Sequence, residues 1–147
     1  MTTPNQDLAL KLFVVLARAN RTLMEHAKRD VERSELSQTE FAVLEVLYHK
    51  GQLTIGEIGE RVLLTSGSMT YVVDKLEKRS LVERRPCPED HRATYIALTA
   101  EGRRLIGRIF PGHAAAIERA STALTAEEKR TAIALLKKMG IAAAQEL

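Results

Sequence analysis

The side chains best suited to chemistry are basic and small polar groups, and they gather in one stretch. Residues 65–108 hold nine basic side chains (Lys75, Lys78, Arg79, Arg84, Arg85, Arg92, Arg103, Arg104, Arg108) against six acidic ones, so the whole formal excess of +3 falls there while the rest of the chain balances. Such a concentration suits a polyanion such as nucleic acid. Charge alone fits a merely solvated face almost as well, so spacing has to decide. Met69, Val72, Val73 and Leu76 recur at helical spacing, and the opposite side of the same helix presents Thr70, Tyr71, Asp74, Lys75 and Lys78, with Ser66 and Ser68 at its start. Hydroxyls of this kind bond base edges, and ammonium groups attract phosphate. Arg84, Asp90 and Arg92 follow on a second charged segment.

Other chemistries are poorly served. Gly51 and Gly56 have the spacing of a phosphate-binding loop, but Glu57 stands where the lysine belongs and would repel phosphate. Neither His-Glu-x-x-His nor Gly-x-Ser-x-Gly occurs, and the four histidines are scattered, so a non-enzyme is expected. Cys87 and His91 supply two ligands on a loop where a metal site needs more, and no metal or cofactor is implied. A single cysteine also forbids an intrachain disulfide and fits a reducing compartment. The apolar run Leu12–Ala17 is too short to span a bilayer, and no charged leader precedes it, so the expectation is a cytoplasmic protein without membrane contact.

The elements that must position these residues are well punctuated. Ser37-x-x-Glu40, Thr54-x-x-Glu57 and Thr125-x-x-Glu128 have the capping-box spacing, which satisfies the first free amides of a helix. A helix over 38–49 carries Phe41, Leu44, Leu47 and Tyr48 on one face, with Gly51 placed to cap its end. A brief helix from about Ile55 to Val62 contains Gly56 and Gly59, which weaken it and would permit close packing. Thr65, Ser66, Gly67 and Ser68 offer caps for a third helix reaching about Lys78. Two helices joined by a short turn, with small polar residues opening the second, form a helix-turn-helix. Val82–Pro86 and Thr94–Leu98 then read as two strands around a charged tip, a wing. Pro86 and Pro88 cannot donate ladder hydrogen bonds and so end the first strand.

The order of five segments resembles the MarR family of winged helix-turn-helix transcription regulators. They are Leu36-Ser37 with Phe41-x-Val43-Leu44, then Thr54-Ile55-x-Glu57-Ile58, then Val73 to Lys78, then Asp90-x-Arg92, and finally Leu98-Thr99-x-Glu101-Gly102. The resemblance implies that Arg92 reaches the minor groove and that Asp90 helps to hold the wing. It departs at Ser80, where the family usually has glycine, and at Tyr71, where arginine is common.

The expected fold class is α+β, mainly α: a winged helix-turn-helix over about 36–99, flanked by helical segments over about 7–33 and 100–147. Leu8, Leu12, Leu16, Leu23 and Ala27, and later Ile133, Leu136 and Met139, have helical spacing. Pro111 and Gly112 are placed to break or kink the long helix that follows Thr99. Periodicity fits a monomer core and a dimer interface equally, whereas the resemblance implies a homodimer bound to a palindrome in double-stranded DNA. It also implies a repressor relieved by a small aromatic effector, for which Phe13, Leu16, Phe41 and Tyr48 are candidate lining residues. A DNA-architectural or protein-binding winged helix without an effector is the alternative.

Overall fold

The computed structural model describes residues 1–62, 68–90 and 92–147. Helix α1 (Pro4–Glu32) starts earlier than its apolar stripe indicates, because Thr3 and Gln6 form a capping box and Pro4 takes the first turn, where its missing N–H costs nothing. Helix α2 (Gln38–Lys50) opens on the Ser37–Glu40 box. Gly51 ends it at φ 80° and ψ −163°, a backbone that side chains rarely tolerate. Strand β1 (Leu53–Thr54), helix α3 (Ile55–Arg61) and helix α4 (Met69–Lys78) follow. The hairpin has the boundaries its sequence predicts, with β2 (Val82–Pro86) and β3 (Thr94–Leu98) paired antiparallel from Val82 opposite Leu98 to Pro86 opposite Thr94. Leu53 and Thr54 add a third strand beside β3, giving the order β1-β3-β2.

Two local expectations fail. Helix α5 (Ala100–Ala120) runs through Pro111 and Gly112 without a break. A proline inside a helix removes one backbone hydrogen bond, and twenty other residues with packing against α1 and α2 hold this one. Among the described residues no close approach is made at Gly56 or Gly59 either, since a methyl group added at Gly59 would meet nothing within 4 Å and one at Gly56 only the Thr54 hydroxyl at 3.9 Å. The crowded glycine is Gly102, where an added Cβ would stand 2.0 Å from the Leu81 carbonyl oxygen. Helix α6 (Ala126–Gln145) closes the chain.

The core lies where α2, α3, α4 and the sheet meet the first half of α5. Leu44, Leu47, Ile58, Leu76, Ile96 and Ile106 are all less than 2% exposed. Burying side chains of this size stabilises by roughly 1.5–3 kcal/mol each. Helix α1 contributes Val31 to that core, and α6 contributes no buried residue. No helix among the described residues is long and apolar enough to cross a membrane.

Candidate nucleic-acid interface

Helix α4 is held by its inner stripe and leaves its polar side to solvent. Val72, Val73 and Leu76 are buried, while Thr70, Tyr71, Lys75 and Lys78 are exposed, Tyr71 by 64%. The Lys75 ammonium lies 5.6 Å from the centre of the Tyr71 ring, a cation–π contact that keeps a flat apolar surface and a charge together. Ser68 is the N-cap residue, but its side chain makes no capping hydrogen bond, so its exposed hydroxyl is not spent on its own helix. Ser66, like the capping roles expected of Thr65 and Gly67, lies outside the described residues.

The hairpin stands beside this helix and is tied to it. The Arg84 guanidinium bonds Asp74 and also lies 3.4 Å from Glu77, both on α4. Arg84, one of the candidate DNA-binding residues, thus braces the wing against α4. The pairing also neutralises two carboxylates that would repel a polyanion from the same surface. Arg85 bonds Glu83 within β2. No ion pair is formed by Lys75, Lys78 or Arg92 with the described residues.

The wing tip is closed by its own backbone. Cys87 N–H donates to the Ala93 carbonyl at 3.1 Å, and Ala93 N–H donates to the Asp90 carbonyl at 3.0 Å. The Asp90 carboxylate accepts the Arg92 amide at 3.0 Å, an aspartate turn that leaves the Arg92 side chain in solvent. The aspartate thus bonds the backbone of the turn, and the arginine side chain projects from it. Cys87 is buried under this turn, only 6% exposed. The Tyr95 phenol on β3 is held above its ordinary value first by its hydrogen bond with Cys87. Among the described residues, no three histidine, cysteine, aspartate or glutamate side chains gather to hold a metal ion.

A second feature lies behind the helix-turn-helix. A cavity of about 280 Å³ opens between α1, α2 and α5, walled by Met24, Ala27, Val31, Phe41, Val46 and His113 and rimmed by Glu45, Lys50 and Arg61. His113 packs against Phe41 with ring centres 4.6 Å apart and planes tilted by 50°, and its Nδ1 is buried, 3.8 Å from the Asp30 carboxylate and without a hydrogen bond with the described residues. Within one chain the four residues expected to line an effector crevice are not brought together. Phe41 faces the cavity, whereas Tyr48 packs beside Phe110 and under Arg103. Leu16 is half-buried further along α1, and Phe13 is 69% exposed. Sequence reasoning missed Met24 and Val31, which share a face of α1 with Ala27, and it missed His113, whose partner Asp30 is on another helix.

Residues 36–94 match the profile of the MarR family. Over 139 residues the chain is 45% identical to the HTH-type transcriptional regulator MhqR of Bacillus subtilis, covering 95% of this chain and 96% of that one. Its fold is shared with Sco3205, a MarR family transcriptional regulator from Streptomyces coelicolor solved in complex with DNA, at TM-score 0.78 and 24% identity over 95% of this chain and 88% of that one. The fold is also shared with Bordetella bronchiseptica BpsR, whose DNA binding is regulated by 6-hydroxynicotinic acid, at TM-score 0.75 and 23% identity over 86% of this chain and 90% of that one.

Proposed function

The chain belongs to the MarR family, whose members are DNA-binding transcription regulators and not enzymes, and from that premise we propose that it is a repressor acting as a homodimer on a pseudo-palindromic operator. The observation that carries this reading is the exposure of Thr70, Tyr71, Lys75 and Lys78 on α4 and of Arg92 on the wing that Arg84 ties to it. In this reading Ser66, Ser68, Thr70 and Tyr71 read base edges in the major groove. Lys75 and Lys78 neutralise phosphates, and Arg92 enters the minor groove while Asp90 keeps its turn ordered. One ten-residue helix offers few contacts, and two-fold symmetry doubles them. The residues over 36–99 form the DNA-binding part, and the segments 7–33 and 100–147 supply the dimer helices.

A small aromatic molecule in the cavity between α1, α2 and α5 relieves repression. Support comes from the apolar walls, a volume with room for a single-ring ligand, and the His113 ring in the lining. The regulation of BpsR by 6-hydroxynicotinic acid supports the same chemistry. Such a ligand weakens DNA binding only as far as it prefers a subunit spacing that mismatches successive major grooves, and operator DNA must weaken the ligand by the same factor.

The test is a mobility-shift titration on the DNA upstream of the protein's own gene, at several salt concentrations. Arg92→Ala is expected to weaken operator binding strongly with an unchanged melting temperature. Lys75→Ala should lower affinity for all DNA and reduce the salt slope by about one unit, whereas Thr70→Ala should lower specific binding preferentially. Equal losses on operator and random DNA for both variants refute the division of roles.

A further inference from the structure

The far end of helix α4 is braced by an ion pair. Its C-cap residue is Arg79, whose Nη1 lies 3.5 Å from Oε2 of Glu40 on α2 and donates to the Glu35 carbonyl, 3.4 Å away in the turn between α1 and α2. Glu40 is an unusual partner. Its side chain is only 7% exposed, and Oε1 is used by the capping box, accepting the Ser37 amide at 3.0 Å. Oε2 is buried and receives no hydrogen bond from the described residues, and the positive charge facing it is that of Arg79. A buried carboxylate requires such a partner, and losing it leaves an uncompensated charge.

We infer that Arg79 is a positioning residue for DNA recognition, bracing α4 through Glu40 at the angle that presents Thr70 and Tyr71. The inference rests on the reading of α4 as the DNA-reading helix. The buried stripe of Val72, Val73 and Leu76 fixes how deep α4 sits, while polar contacts at its edges bear on its angle. Arg84 restrains it from the wing side, and Arg79 restrains its C-terminal end from α2. The N-terminal end has no side-chain cap and is held by the packing of Met69 on the core, so these two guanidinium groups add the polar restraints on the helix orientation.

Glu40→Gln keeps an oxygen for the Ser37 amide and removes the charge, which separates the brace from the helix cap. Glu40→Gln, Arg79→Gln, their combination and Arg79→Lys are compared by titration on the wild-type operator and on random DNA of equal length, with urea midpoints recorded in parallel. Each single glutamine variant is expected to lose about tenfold in operator affinity while random-DNA affinity and the salt slope stay unchanged. The double variant should be no worse than the worse single, and Arg79→Lys should recover part of the loss. If Glu40→Gln fails to fold, the comparison of Arg79→Gln with Arg79→Lys decides. A salt slope lower by one unit for Arg79→Gln, with Glu40→Gln at wild-type affinity, makes Arg79 a phosphate contact and overturns the inference. Wild-type operator affinity in every variant overturns it equally. Wild-type protein that fails to distinguish operator from random DNA instead defeats the reading of α4 itself.

Discussion

The winged helix and the terminal helices use the same apolar periodicity to opposite ends. Between Leu36 and Ile106 the stripes close on one another, and Val43, Leu44, Ile58, Val73, Leu76, Ile96 and Ile106 have no measurable exposure. On α1 and α6 the stripes stay open: Leu8, Phe13, Ile133 and Ile141 are each more than half exposed, and no residue of α6 is buried. Apolar residues on several faces of an unpacked helix mark a surface awaiting a partner. In the proposed dimer that partner is a second copy, so the first region's order comes from its own chain and the second's from assembly.

The contrast breaks most sharply at a glycine. Gly102→Ala drives a methyl group into the Leu81 carbonyl, which also accepts the Thr99 amide at the start of α5, so the hairpin and the helix cannot both keep their places. The loss is expected on the order of 3 kcal/mol by urea unfolding. Gly140→Ala on α6 meets nothing within 4 Å in the single chain and should cost no stability there. Equal effects from the two substitutions would abolish the distinction between the regions.

A smaller effect tests what covers the open stripes. Phe13→Glu or Ile133→Glu removes an apolar side chain that is exposed in one chain and covered in the proposed dimer. Each should cost about 2 kcal/mol of association, or about thirtyfold in the dimer dissociation constant by sedimentation. The monomer's core should be untouched. An unchanged molar mass at low concentration for both variants contradicts assembly through these helices.

A gain, smaller again, is expected inside the packed region. Ser80 has φ 62°, a left-handed backbone that a side chain makes costly, at the position where the sequence departs from the family's glycine. Surrounding packing imposes it: Leu81 and Val82 are buried, and the Ser80 carbonyl accepts the Thr99 hydroxyl at 2.6 Å. Ser80→Gly should raise stability by about 1 kcal/mol with an unchanged urea slope. A destabilised variant would mean that the Ser80 side chain contributes more than its backbone costs.

These cases show which features could be read from the sequence. Capping boxes and the hairpin were legible because a few adjacent residues determine them, as in Ser37–Glu40 or Val82–Pro86. The Asp90 turn is equally local, the carboxylate bonding a residue two positions away, but Asp90 stood out only through the family resemblance. The bracing contact of Arg84 was not legible because its partners, Asp74 and Glu77, sit on another element, and spacing carries no record of that pairing. Strand β1 escaped because two residues have no periodicity, and its existence depends on β3 more than forty positions later. Of the four residues expected to line a crevice only Phe41 does so, because α1, α2 and α5 each contribute only part of its wall. The continuous course of α5 through Pro111 shows the same thing in reverse, a local breaker overruled by length and packing.

The smallest expected effect concerns acid and separates the regions without mutating either core. The Glu128 carboxylate is held below its ordinary value of 4.5, first by the backbone hydrogen bond at Thr125 and then by the Thr125 side chain. The Glu128 carboxylate accepts the Thr125 amide at 2.9 Å, and the Thr125 hydroxyl accepts the Glu128 amide at 3.1 Å. A carboxyl group whose value is lowered on folding contributes stability that is fully present above its unfolded value and is lost as pH falls through its folded one. The contribution of this cap should therefore be intact at neutral pH and fade only below 4.5. Because α6 has no buried residue in one chain, that fading should loosen the first turn of α6 while the winged helix keeps its protection. NMR titration of the Glu128 side chain, with amide exchange at Lys129 and at Leu44, reads both sides at once. The expected result is a Glu128 midpoint below that of an unstructured peptide, a shift that disappears in Thr125→Ala. If Lys129 and Leu44 instead lose protection together, α6 and the core unfold as one unit and the contrast between them is wrong.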